Sequence, residues 1–358
     1  MTFATSGHPR TPRQRWFHEG LRRILTAKGL EETAPDQAPR IVLHFVDRAA
    51  PRPFRRRAQA SFVVSIVEGP APEAEVLPAL YPFIVRTLGN MVLYLVPDGD
   101  RAVAYVVTLE QGYFTIEDHD DPVFFARVFE RIHPLASAQL VINNEFHADL
   151  EPELWDGDAL TAALADAGRR LDALRLLPAA FPIEELLSPR DLAHVKRLFG
   201  LGGLSYGNLS ARKDARRFWM SASGVNKGAL RVIGRDILMV KGYDAERNVI
   251  LLSVPPAIEP RRVSVDAIEH WMIYAAHPGV GALVHVHAWM HGVASTQIQY
   301  PCGTRELAQA VSDLVASSPD PTRAVVGLRN HGLTIAGPSL ADILDRTEGR
   351  ILPRVPMS

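Results

Sequence analysis

In the run Ala282-Leu283-Val284-His285-Val286-His287-Ala288, two histidines stand one residue apart. Side chains alternate along a strand with a period of two. His285 and His287 would therefore share one face, and Ala282, Val284 and Val286 the other, where they can pack on a core. Two imidazoles placed this way can each offer a ring nitrogen to one metal ion. The pair by itself fits hydrogen-bonded packing equally well. An open catalytic site needs a third ligand. The natural candidate is His331, in Arg329-Asn330-His331-Gly332-Leu333, 44 residues after His287 and just past the apolar run Ala324 to Leu328. Cys302 is the only cysteine, which excludes an intrachain disulfide scaffold and a thiolate zinc site. Any metal must then be held by histidines and carboxylates, and Cys302 itself reads as a buried small residue.

Other folds that carry His-x-His fit poorly. Only 71 residues follow His287, too few for an amidohydrolase-type barrel, and the next carboxylate, Glu306, is too distant for a cupin. Upstream stand Gly200 to Ser210, rich in glycine, and Met220-Ser221-Ala222-Ser223-Gly224-Val225, with Lys227 close behind. Glycine lets backbone N–H groups approach an anion closely, and Asn, Ser and Lys add donors. A glycine-rich turn is by itself only a turn. Its place ahead of three histidines is what makes the order specific.

Residues of about 183–345 resemble the class II aldolase/adducin family, which includes zinc-dependent sugar-phosphate aldolases and ribulose-phosphate 4-epimerases. The matching blocks are Gly207-Asn208-Leu209-Ser210, Ser223-Gly224, Val263-Ser264-Val265-Asp266, Val284-His285-Val286-His287, Gly303-Thr304-Arg305-Glu306-Leu307 and Asn330-His331-Gly332-Leu333. The resemblance implies a three-layer α/β/α domain with a mainly antiparallel central sheet, assembled as a tetramer. It implies that His285, His287 and His331 bind Zn2+, which as a Lewis acid would stabilise an enediolate. Gly207, Asn208, Ser223, Gly224 and Ser264 would cradle a phosphate or another anionic end. Asp266, 19 residues before His285, falls at the family's acid position, as a fourth ligand or a proton shuttle. Aldolases usually carry Glu there and 4-epimerases Asp. The same aspartate fits a helix N-cap ahead of Ala267 to Ala276.

The second of the family's two adjacent serines is Val265 here, and no tyrosine follows Tyr300, although family aldolases draw a proton donor from such a residue. Glu269 stands only 16 residues before His285, too near for the acid position, and His270 and Tyr274 read as packing on one helix face. The implied activity is a zinc-dependent lyase acting next to a carbonyl in a small polyhydroxylated anionic substrate. Epimerisation, dehydration and decarboxylation could use the same ion. A non-catalytic adducin-like scaffold would be expected to lose the histidines, and all three are present.

These residues must be positioned by a chain of 358 residues, long enough for two domains. A net charge of −1 offers no general handle for nucleic acid, and no apolar run reaches the roughly 18 residues of a membrane span. Cytoplasm is the expected compartment, and Arg10, Arg13 and Arg15 read as a solvated terminus rather than a transit peptide. Residues 1–150 are expected to form an α+β module. Its helices fall near 14–29, 72–88 and 123–132, and its strands near 41–46, 61–67, 91–96, 103–109 and 140–142. Residues 151–182 read as a helical linker ended by Pro178 and Pro182, and residues 183–358 as the aldolase-like domain.

Overall fold

The computed structural model describes residues 1–58, 61–73, 75–109, 112–177, 183–193 and 206–356. The expectations placed on Pro178, Pro182 and Gly200 to Ser205 lie outside these. The chain divides into two compact units, Met1–Ser137 with Phe181–Leu201 and Met357–Ser358, and Ala138–Ala180 with Gly202–Pro356.

The first unit is built on a seven-stranded sheet of order β2-β1-β3-β4-β5-β6-β7. Its elements are β1 (Thr2–Ser6), α1 (Pro12–Ala27), β2 (Glu31–Glu32), β3 (Ile41–Phe45), β4 (Phe62–Glu68), α2 (Val76–Thr87), β5 (Met91–Asp98), β6 (Arg101–Thr108), β7 (Gly112–Ile116) and α3 (Asp121–Ser137). From β2 to β5 the pairing is parallel, and only β6 and β7 add antiparallel edges. This part is therefore α/β, not the α+β module expected. The reason is visible in the strands. Ile41-Val42-Leu43 and Phe62 to Val67 are buried on both faces, as strands covered by helices on both sides must be. Ile41, Leu43, Val64, Ile66 and Leu93 share a core with Phe17 and Leu21 of α1 and Phe124 and Val128 of α3. Val67, Val92 and Tyr94 face Tyr81, Ile84 and Val85 of α2.

The second unit holds an eight-stranded sheet of order β14-β15-β13-β9-β10-β11-β12-β8. Its elements are β8 (Asn143–His147), α4 (Ala159–Ala173), β9 (Asn208–Arg212), β10 (Phe218–Ser221), β11 (Ile237–Asp244), β12 (Val249–Ser253), α5 (Ala267–Ala276), β13 (Ala282–Val286), α6 (Arg305–Ser317), β14 (Val325–Leu328), β15 (Gly332–Gly337) and α7 (Leu340–Thr347). The sheet is mixed: neighbours are antiparallel except β12 and β8, which run parallel. Strand alternation turns Leu209, Val284 and Ile335 to one face and Asn208, His285 and Thr334 to the other. Helix α7 packs on the first face, where Ile343 meets Gly337. Helix α5 lies on the second, hydrogen-bonded to side chains of β9 and β15.

The expected boundaries near 150 and 182 shift. Residues 143–147 pair with 249–253 along the second sheet. The segment before them, read as a strand at 140–142, instead makes a single bridge from Leu140 to Thr304. Helix α4, read as part of a linker, contributes Leu164, Ala167 and Leu171 to the second unit's core. Its start is fixed by Asp158, whose carboxylate accepts from Leu160 N and Thr161 N.

Candidate metal centre

Strand β13 lies between β9 and β15, so His285 sits opposite Asn208 on one side and Thr334 on the other. His287 follows one residue beyond the strand end. His331 belongs to the short turn between β14 and β15, where Asn330 adopts a left-handed φ of 57° and His331 N donates to Leu328 O. Asn tolerates that conformation better than most residues. Two glycines permit the close approach of these segments. A Cβ on Gly332 would lie 2.2 Å from the Val286 carbonyl oxygen. One on Gly207, whose φ is +75°, would lie 2.4 Å from the His285 carbonyl oxygen.

The three rings converge. Centroids of His285 and His287 are 5.1 Å apart, those of His287 and His331 4.4 Å, and those of His285 and His331 5.1 Å. One nitrogen from each lies within 4.8 Å of the others, so the cluster could hold a metal ion. Nε2 of His285 is 3.2 Å from Nε2 of His331. Two nitrogens on one tetrahedral zinc ion, each at about 2.0–2.1 Å, would be about 3.3–3.4 Å apart. His285 Nδ1 lies 3.0 Å from the Leu333 carbonyl, which can only accept. The neutral ring therefore carries its proton on Nδ1 and leaves the Nε2 lone pair free. Burial keeps the rings neutral. It pushes His285 down to about 4 and, with help from His285, pushes His331 down to about 3. His287 also falls well below its ordinary value, through burial and the charges of its neighbours. Neutral, convergent ring nitrogens are the donor set a borderline-soft divalent cation takes.

Asp266 occupies the N-cap position of α5 but makes no capping hydrogen bond. Its Oδ2 accepts from Asn208 Nδ2 at 2.7 Å, and its Oδ1 is buried with no hydrogen-bond partner among the described residues. Burial raises its proton affinity, while the charge of His331 and the Asn208 amide oppose the rise. The cap reading of this residue thus gives way to one in which the carboxyl faces the sheet. Asn208, expected in the anion cradle, donates its side-chain amide to Asp266.

Sequence reasoning set Glu269 aside, yet it is as buried as Asp266. Its Oε1 accepts from Thr334 Oγ1 at 2.6 Å, and its Oε2 has no partner among the described residues. Burial, reinforced by Asp266, raises it to about 8. His270 Nδ1 meets Ser210 Oγ at 2.7 Å, and Tyr274 Oη lies 2.8 Å from the same hydroxyl. Asp266, Glu269, His270 and Tyr274 thus form one polar stripe of α5 pressed onto the histidine side of the sheet. The signal was present: acidic and basic residues at i, i+3 and i+4 in an otherwise apolar helix.

Ser223, Gly224 and Ser264 come together through an antiparallel bridge between Ala222 and Val263. Two of this cradle's amides are already engaged, Ser223 N with Arg262 O and Ser264 N with Ser221 O. Lys227 follows the turn and is 3% exposed. Burial lowers it to about 8, and its charge reaches both Asp266 and His287. Cys302 also enters the site, with Sγ 3.0 Å from His331 Nε2. The turn that carries it is anchored by Val141 N donating to Gly303 O and Arg305 N to Gln139 O. The sequence reading of Cys302 as a packing residue missed this.

The sequence profile described as the Class II Aldolase and Adducin N-terminal domain matches residues 190–349, and the C-terminal part of the chain carries a domain of this family. A 3-oxo-tetronate 4-phosphate decarboxylase from Haemophilus influenzae is 25% identical over 46% of this chain and 81% of its own. A methylthioribulose-1-phosphate dehydratase from Microcystis aeruginosa is 31% identical over 27% of this chain and 44% of its own. Among solved structures, an L-fuculose 1-phosphate aldolase superposes with a TM-score of 0.37 at 16% identity, covering 54% of this chain and 81% of that one. No helix among the described residues is long and apolar enough to cross a membrane.

Proposed function

We propose that this chain is a metal-dependent lyase that acts beside a carbonyl in a small polyhydroxylated anionic substrate, with zinc as the cation. The observation that carries the reading is the convergence of three neutral imidazoles, two buried and one half-buried, next to a carboxyl that is not used as a helix cap. A divalent cation held by His285, His287 and His331 would, when bound, supply Lewis acidity to a substrate carbonyl. Leu333 O fixes the tautomer and orientation of His285 through Nδ1. Asn208 fixes Asp266 through Oδ2, which leaves Oδ1 to take a proton from substrate and return it. Burial of Asp266 raises its basicity and so favours that transfer.

Two observations favour related reactions at the same site. The aspartate at the acid position leans towards epimerisation by retro-aldol chemistry. The decarboxylase relative, matched over most of its length, leans towards loss of carbon dioxide.

The test is incubation of metal-loaded protein with a panel of ketose phosphates and phosphorylated 3-oxo acids. Released aldehyde indicates C–C cleavage, a changed sugar without aldehyde indicates epimerisation, and carbon dioxide indicates decarboxylation. No turnover across the panel by a protein that also takes up no metal would favour an adducin-like scaffold.

A further inference from the structure

Between β3 and β4 the chain reads Pro51-Arg52-Pro53-Phe54-Arg55-Arg56-Arg57, and adjacent guanidinium groups repel one another. The two prolines restrict φ in this loop, and its backbone is pinned at two points. The Arg52 carbonyl accepts from His44 Nε2 at 2.9 Å, and Phe54 N donates to the Thr87 carbonyl at 3.3 Å. The Phe54 ring lies against that of His44, with centroids 5.9 Å apart. Arg56 is half-buried. Its Nη2 donates to Asn90 Oδ1 at 2.7 Å and its Nε to the Ser61 carbonyl at 3.2 Å, just ahead of β5 and β4. Both acceptors are neutral, and burial works against the charge of Arg56. Among the described residues no carboxylate pairs with Arg55, Arg56 or Arg57.

These three arginines line one cavity of about 490 Å³, together with Phe54 and with Pro35 and Asp36 of the loop between β2 and β3. That volume suits a small organic ligand. Three guanidinium forks around one space match an anion whose oxygens are spread over several ångströms, because each fork takes phosphate oxygens two at a time. The other half of the lining excludes a bare polyphosphate. Phe54 and Pro35 offer apolar surface against which a planar base can pack. Asp36 would repel phosphate but accepts a hydrogen bond from a sugar hydroxyl. A nucleic-acid strand fits less well, since an acid stands in the wall and the chain as a whole carries a net charge of −1.

We propose that this cavity binds a nucleoside di- or triphosphate, with the phosphates on Arg55, Arg56 and Arg57 and the nucleoside against Phe54, Pro35 and Asp36. The test is calorimetric titration of the full chain with ADP, ATP, adenosine, pyrophosphate and tripolyphosphate. A chelator keeps the protein metal-free, so that no cation at the histidine cluster holds the phosphates. ADP and ATP should bind at one per chain, about tenfold or more tighter than adenosine or the matching polyphosphate. Arg55 and Arg57 are exposed, so Arg55→Gln combined with Arg57→Gln should keep the melting temperature. The double variant should weaken ADP by about tenfold or more, as loss of charge-assisted bonds implies.

No binding of ADP or ATP by the wild type would overturn the proposal, and so would equal binding of ADP by the wild type and the double variant. Tripolyphosphate bound as tightly as ATP would show an anion cluster without a nucleoside site and overturn it too. A single-stranded oligonucleotide bound in preference to ATP would do the same in favour of a nucleic-acid surface. None of the metal-centre residues lines this cavity, so each of these results leaves the reading of the metal centre untouched.

Discussion

Asp266 sits where an aspartate ordinarily caps a helix, and its carboxyl is turned elsewhere. Among the described residues Asn208 holds one of its oxygens and the other accepts no hydrogen bond, which leaves it available for proton transfer. Asp266→Asn preserves shape and can still accept from Asn208, but it removes the base. It is expected to retain metal and melting temperature while turnover on any substrate found above falls by about 10²–10⁴-fold. Unchanged turnover would remove Asp266 from the chemistry. Gly207 matters for a different reason. Gly207→Ala forces a side chain into a left-handed φ and against the His285 carbonyl. A stability loss of about 1–3 kcal/mol should follow, read by chemical denaturation.

Helix α5 is the element that ties acid, sheet and histidines together, and its buried stripe predicts a particular pH dependence in the metal-free protein. Burial, reinforced by Asp266, raises Glu269 to about 8, above the ordinary 4.5 of a free glutamate. The native state therefore holds a proton that the unfolded state has lost. The stability this contributes is complete below about 4.5 and is lost as pH rises towards 8. The buried histidines run the other way. With native values near 3 to 4 for His270, His285 and His331, below the ordinary 6.5, they contribute stability above 6.5 that is lost as pH falls. Glu269→Gln should thus flatten the decline between pH 6.5 and 8 by up to about 1.4 kcal/mol per pH unit, and leave the acid limb in place. An alkaline decline of the same slope in Glu269→Gln would show that another group is responsible.

The periodicity that marked β13 was legible because alternation gives His285 and His287 one face, and the N-cap position of Asp266 was legible from the apolar run after it. The stripe of Glu269, His270 and Tyr274 was legible in spacing but not in meaning. Whether a polar helix face meets solvent or a sheet is decided by distant strands. Strand β8 was missed because Asn143-Asn144-Glu145-Phe146-His147 has little apolar character, and its partner is a parallel strand about a hundred residues away.

At the scale of the whole molecule, those distant pairings decide where a domain can be cut. A chain truncated at 151, where the sequence suggested a linker, would lose β8 and the anchor on the Cys302 turn. A chain begun at 138 would keep both. The longer form should melt at the higher temperature and bind metal, and equal behaviour of the two would show that residues 138–150 are dispensable. The first unit, with its largely parallel sheet, was read as α+β because short buried strands do not disclose their partners' direction.

The central claim is that three ring nitrogens hold one divalent cation. It is tested most directly by equilibrating the full chain with zinc, dialysing it and measuring bound metal, with His331→Ala alongside. Near-stoichiometric zinc in the wild type, lost in the variant while its circular dichroism is unchanged, is the expected result. A wild type that retains no zinc, or a His331→Ala protein that retains as much as the wild type, would contradict it.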